Sequence, residues 1–267
     1  MRVPIPNIPD KKDLISYLKA NKNEIIANKK TFPIISEPVT SPLTYIDNSP
    51  IVKDNTAVTR DIDVLRVKVV ANTANWIDNH MDMLTETSWD KTISERKNTI
   101  PHLHDHIHKV DAKIGEVVDI LSSTFSYAEL GINGQGATKS LVFITDVMKS
   151  YNEKVFNQYK AGKINQHSIG LQYMKIDLAI NDEDEKEEFE VWEKNYQKVI
   201  NKEKADKMGF FWVVKEIKLL ENSAVLFGSN EITPTLDNDL GKFEPLLNTQ
   251  QKESSIDTHN DKPFKFY

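Results

Sequence analysis

Cysteine is absent from all 267 residues. That excludes disulfides, thiol nucleophiles and thiolate metal sites, and it suits a reducing compartment. No apolar run approaches the ~20 residues a membrane-spanning helix needs. The opening stretch, "MRVPIPNIPDKKD", holds no apolar signal core. Basic blocks are missing too, and the formal net charge is −6, so a nucleic-acid-binding chain is not expected. Three familiar motifs are also absent. In "GINGQGATKS" the lysine arrives two residues late for a phosphate-binding loop. No Gly-x-Ser-x-Gly elbow and no His-Glu-x-x-His zinc helix occur. What remains is 39% hydrophobic and 28% charged residues, enough for a packed core and consistent with a soluble intracellular protein that needs no membrane.

The chain divides into three parts. Residues 1–58 read as an N-terminal extension and linker. It begins with a helix carrying Leu14, Ile15, Leu18, Ile25 and Ile26, with Asp10 or Asp13 as N-cap. A proline-rich arm, "TFPIISEPVTSPLTYIDNSP", follows. Residues 59–235 read as the core domain. "IDVLRVKVVA", "KIGEVVDI", "STFSYAEL" and "LVFITD" are strand-like, and a helix "DVMKSYNEKVFNQYKAG" is closed by Gly162. "HSIGLQYMKIDLAI" is a strand with Met174, Ile176, Leu178 and Ile180 inward, and "FFWVVKEIKLLENSAVLFGSN" is one long strand or two. Between them, residues 182–208 form an acidic helical insertion with a stripe of Phe189, Trp192, Tyr196 and Val199. Residues 236–267 are polar and read as a disordered tail. The order is not a regular strand–helix alternation. It predicts an α+β fold with a mostly antiparallel, β-barrel-like core and flanking helices.

Four of the seven histidines, His102, His104, His106 and His108, stand at every second position. On a strand they would share one face. Neutral imidazoles can hold zinc, but neighbours on a strand face lie ~7 Å apart, so all four cannot meet at one ion. Ser168 precedes Ile169-Gly170 at the start of an apolar strand, a weak signal alone. Glu221 is sharper. With Ser223 it interrupts an odd-numbered apolar face of Val213, Ile217, Leu219, Val225 and Phe227. A carboxylate there is costly unless paired. It is either one half of a structural ion pair or an acid that orients a histidine.

Four blocks, taken in order over residues 62–233, carry a resemblance. They are "RVKVVANTANWIDNHMDMLTETSWDKTI", with Asp78, Asp82 and Trp89; "IPHLHDHIHKVDAKIGEV", with Ile114-Gly115; "YKAGKINQHSIGLQY"; and "VKEIKLLENSAVLFGSNE". Together they resemble the prohead proteases of tailed bacteriophages, serine peptidases related in fold to the herpesvirus capsid maturation proteases. Leu171 stands where that family has an aromatic, and "GSN" stands where it has proline-alanine-asparagine.

The resemblance implies a herpesvirus-protease-like fold and a catalytic set of Ser168, His108 and Glu221. Spacing to Ile114-Gly115 selects His108 as the base. The herpesvirus relatives use a second histidine as third member. Here the only histidine beyond Ser168 is His259, in the polar tail, so an acid is expected, Glu221 first and Asp105 second. No cofactor and no metal are implied. The substrates would be capsid and scaffold proteins, and self-cleavage at the extensions is expected. The place of action would be an assembling prohead in the host cytoplasm, where a homo-oligomer is allowed. The rivals are a non-catalytic capsid or scaffold assembly protein that keeps the fold, and a metal-binding protein using His102 to His108.

Overall fold

The structure, a computed structural model, describes residues 8–31 and 63–239. The proline-rich arm and most of the polar tail lie outside the described residues. Helix α1 (Lys11–Thr31) starts at Asp10, whose carboxylate accepts the N–H groups of Lys12 and Asp13 at 2.9 and 3.0 Å.

The first sheet has the order β4 (Gly115–Ser126), β5 (Ala137–Met148), β1 (Val64–Thr73), β8 (Thr235–Asp239), antiparallel throughout. "KIGEVVDI" and "STFSYAEL" therefore merge into one strand, with a register shift between Val117 and Asp119. Strand β5 runs on to Met148, and helix α3 (Glu153–Lys160) begins later than its periodicity predicts, where Asn152 accepts from the N–H of Val155. Gly162 closes it with φ of 64°.

The second sheet is built on β6 (His167–Ile180) and β7 (Phe210–Ala224), antiparallel from His167↔Ala224 to Ile180↔Phe210. Two short strands pair in parallel with the other edge of β7: β2 (Asp82–Leu84) at Trp212–Val214 and β3 (His102–His104) at Asn222–Ala224. Helix α2 (Asp90–Arg96) joins β2 to β3 by way of a short 3-10 turn. The insertion between β6 and β7 forms two helices, α4 (Lys186–Tyr196) and α5 (Lys202–Met208), with Trp192 and Val199 buried. Met174 is 43% exposed rather than inward. Register shifts on either side of Lys175 change the parity of β6, so Tyr173 is buried in its place.

The architecture is thus α+β with mostly antiparallel sheets, and neither sheet closes into a barrel. Strand β4 is an outer edge, buried only at Gly115, Ile120 and Phe125, and does not meet a closing neighbour. One contiguous apolar core takes residues from both sheets, and also Leu14, Ile15, Leu18 and Ile25 of α1. Each such side chain contributes roughly 2 kcal/mol when fully buried. The N-terminal helix is therefore part of the body and not a loose extension.

Candidate active site

The four histidines do not share a face, because β3 stops at His104. Asp105 and His106 both take left-handed backbone angles, φ 51° and 54°. Aspartate and histidine are among the residues that tolerate this region. Two hydrogen bonds hold the turn on the end of β7. The N–H of Asp105 donates to the carbonyl of Ala224 at 2.9 Å, and that of His106 to the hydroxyl of Ser223 at 3.1 Å. The chain is thereby folded back over the sheet, and the His106 ring lands on Glu221. Nδ1 of His106 lies 2.6 Å from Oε1 of Glu221. Ser223 donates its hydroxyl to the other carboxylate oxygen at 2.7 Å.

Strand β6 supplies the other half. Ser168 pairs with Ser223, and Gly170 with Glu221. Opposed residues of an antiparallel pair share a face, with Cβ atoms ~4.5–5.5 Å apart. Ser168 therefore stands on the same face as Glu221 and Ser223, beside the group that anchors His106. The glycine of "SIG" has a local reason. A Cβ at Gly170 would overlap Oε1 of Glu221 and stand 3.0 Å from its Cγ and Cδ. Only glycine leaves the carboxylate room to reach His106.

Burial is nearly complete: Ser168 is 3% exposed, His106 8%, Glu221 1% and Ser223 0%. A carboxylate can only accept, so Nδ1 of His106 donates to Glu221, and Nε2 is the ring nitrogen that can exchange a proton with another group. An imidazole oriented by a buried acid, beside a serine hydroxyl, can take up and return a proton.

The site residues expected from sequence are partly brought together. Ser168 and Glu221 are, but His108 is exposed on the loop two residues beyond the turn. The imidazole on Glu221 belongs to His106, because the left-handed pair ends the alternation that a strand would have carried as far as His108. Asp105 meets His104 at 3.2 Å and is largely exposed. His102 is wholly buried, with Nδ1 at 2.9 Å from the Thr145 hydroxyl. Burial first, then the charge of His167, push its imidazole well below the usual range. The four histidines thus go to four different places, and among the described residues no group of three or more His, Cys, Asp or Glu side chains is arranged to hold a metal ion. The left-handed tolerance of Asp105 was the available signal for the turn.

Comparison with protein-family models, curated proteins and solved structures gave no match. Among the described residues no helix is long and apolar enough to cross a membrane.

Proposed function

We propose that this chain is a serine endopeptidase with Ser168 as nucleophile, His106 as general base and acid, and Glu221 as the residue that orients the imidazole. One observation carries the reading: the 2.6 Å bond between Glu221 and His106 lies on the face where β6 presents Ser168. In the reaction, the Ser168 proton passes to Nε2 of His106 as Oγ adds to the scissile carbonyl. His106 then protonates the leaving amine, and an acyl-enzyme remains. Water, deprotonated by the same nitrogen, releases the carboxylic acid and restores the serine.

The resemblance over residues 62–233 supplies the setting. Substrates would be the capsid and scaffold proteins of a tailed phage, cleaved inside the prohead, with self-cleavage in the extensions. The finer likeness to the herpesvirus protease fold belongs to the same proposal. Coexpression with capsid or scaffold protein, followed by mass spectrometry of the products, tests it. Ser168→Ala is expected to abolish all cleavage and to leave the thermal midpoint nearly unchanged, since one hydroxyl is lost. Undiminished cleavage by that variant removes Ser168 from the mechanism.

A second reading has its own observation. Ser168 and His106 are so little exposed that the pair could serve as a structural contact in a non-catalytic assembly protein. A serine-directed phosphonate probe separates the two, because only an activated Ser168 is labelled.

A further inference from the structure

Behind the face that carries Ser168, Glu221 and Ser223 lies a second polar layer. His167 precedes Ser168, and Asn222 sits between Glu221 and Ser223, so both point to the opposite face. The ring of His167 donates from Nδ1 to the carbonyl of Thr233 at 2.9 Å, which leaves Nε2 to accept from the Tyr159 hydroxyl at 2.9 Å. His102 accepts at Nε2 from the Asn222 amide at 3.0 Å, so Nδ1 donates to Thr145. The two imidazoles lie 6.0 Å apart, centroid to centroid. All six residues are 0% exposed. The layer ties together β3, β5, α3, β6, β7 and the segment before β8.

Such a network is costly in an apolar interior unless it is satisfied, and once satisfied it selects a single arrangement. The Oδ1 of Asn222 finds no partner among the described residues. Its donor is what the fold uses. His102 is also the Cα partner of Asn222, and the N–H of Asn222 donates to Pro101 at 3.1 Å. These contacts fix where β3 lies along β7, and four residues after His102 comes His106.

We propose that this layer is a positioning device: His102 and His167 touch no reacting atom, but through Asn222 and the β6 backbone they set Ser168 against the His106–Glu221 pair. The inference rests on the catalytic reading given above. The titratable groups facing each imidazole are the other imidazole and Tyr159. Thr145 and Phe143 from β5, Asn222 from β7 and Thr233 are neutral. A proton on Nε2 of His102 would oppose the Asn222 donor and loosen the site from behind.

Proton NMR of the full chain reads this without any substrate. The Nδ1 proton of His106, assigned by its loss in Glu221→Gln, gives a downfield resonance. Tyr159→Phe keeps the ring but removes the donor to His167, and Asn222→Leu keeps the volume but removes the donor to His102. In both, the resonance is expected to broaden or vanish. The cleavage rate constant kcat should fall by up to about 100-fold with KM little changed, and the acid limb of the pH profile should move. Folded variants with the wild-type resonance and pH profile overturn the proposal. If Asn222→Leu does not fold, Tyr159→Phe decides alone. A wild type that shows the resonance and loses it in the variants, yet cleaves no capsid or scaffold protein, upholds the positioning layer and sinks the protease reading.

Discussion

His106 and His108 are chemically equivalent and only two residues apart, yet only His106 reaches Glu221. In a triad a single imidazole stands within ~2.6–3.2 Å of the groups it serves. His106→Gln is therefore expected to silence cleavage, by up to ~10⁴-fold by analogy with the loss of a triad member. His108→Gln should stay within a few-fold of wild type, with or without a chelator. Cleavage assays on the two single variants decide it, and a silent His108→Gln with an active His106→Gln would reverse the assignment. Gly170 gives a second expectation at this scale. In Gly170→Ala the new methyl displaces the Glu221 carboxylate from His106, while the strand itself tolerates alanine. Activity should collapse while stability falls by only ~1–3 kcal/mol, measured from denaturant midpoints. Unchanged activity would mean that the carboxylate has room after all. Glu221 was legible in the sequence because a charge breaking an apolar alternation needs no tertiary knowledge to be noticed. The choice among the histidines was not, because period-two spacing looks the same whether or not the strand continues.

At the scale of elements, α1 is the largest departure from expectation. Its apolar stripe is short, and the proline-rich stretch after it reads as the end of an arm. What docks it comes from remote residues. Lys29, in its last turn, bonds Asp82 of β2 at 2.5 Å, and the Tyr173 hydroxyl donates to the other oxygen of that carboxylate. The ammonium also sits 5.0 Å over the Tyr173 ring and 5.3 Å over that of Trp212. Gln172 donates to the Lys30 carbonyl at 2.8 Å. The helix is thus fastened to β6, the strand that carries Ser168. No local pattern could show a pairing across some fifty residues, whereas the β6 and β7 runs announced themselves by length and hydrophobicity. The side chain of Asp82 is fully buried and that of Lys29 is 15% exposed, so Lys29→Met strands a buried carboxylate. The expected loss is about 3–5 kcal/mol, read from denaturant midpoints. Lys19 bonds Glu185 at 2.5 Å but is more than half exposed, and Lys19→Met should change little, with an effect that added salt removes. Equal losses in the two variants would show that burial of the pair is not what anchors the helix.

At the scale of the whole molecule, three buried groups among the described residues bear on the response to acid, and they oppose one another. Burial pushes His167 down to about 4 from 6.5, a hydrogen bond to Thr233 pulling the other way, and burial with the charge of His167 holds His102 well below its usual range. Below pH 6.5 the unfolded chain therefore binds protons that the native protein refuses, and each imidazole lowers stability as pH falls toward 4. Asp78 acts in the other sense. Burial, then the charge of Asp82, raise it from 3.8 to about 7. It holds a proton that the unfolded chain has already released, so it lowers stability as pH rises from about 4 to 7. Over about pH 4.5 to 5.5, two imidazoles outweigh one carboxyl by about one proton. Stability should then rise with pH by about 1.4 kcal/mol per unit. Asp78→Asn removes the opposing group and should steepen the slope to about two protons' worth, while His167→Gln should flatten it toward zero. Denaturant midpoints at three pH values across the window measure all three slopes. A flat response in Asp78→Asn would mean that neither imidazole is held neutral in the fold, and the buried layer behind Ser168 would then lose the property that makes it sensitive to acid.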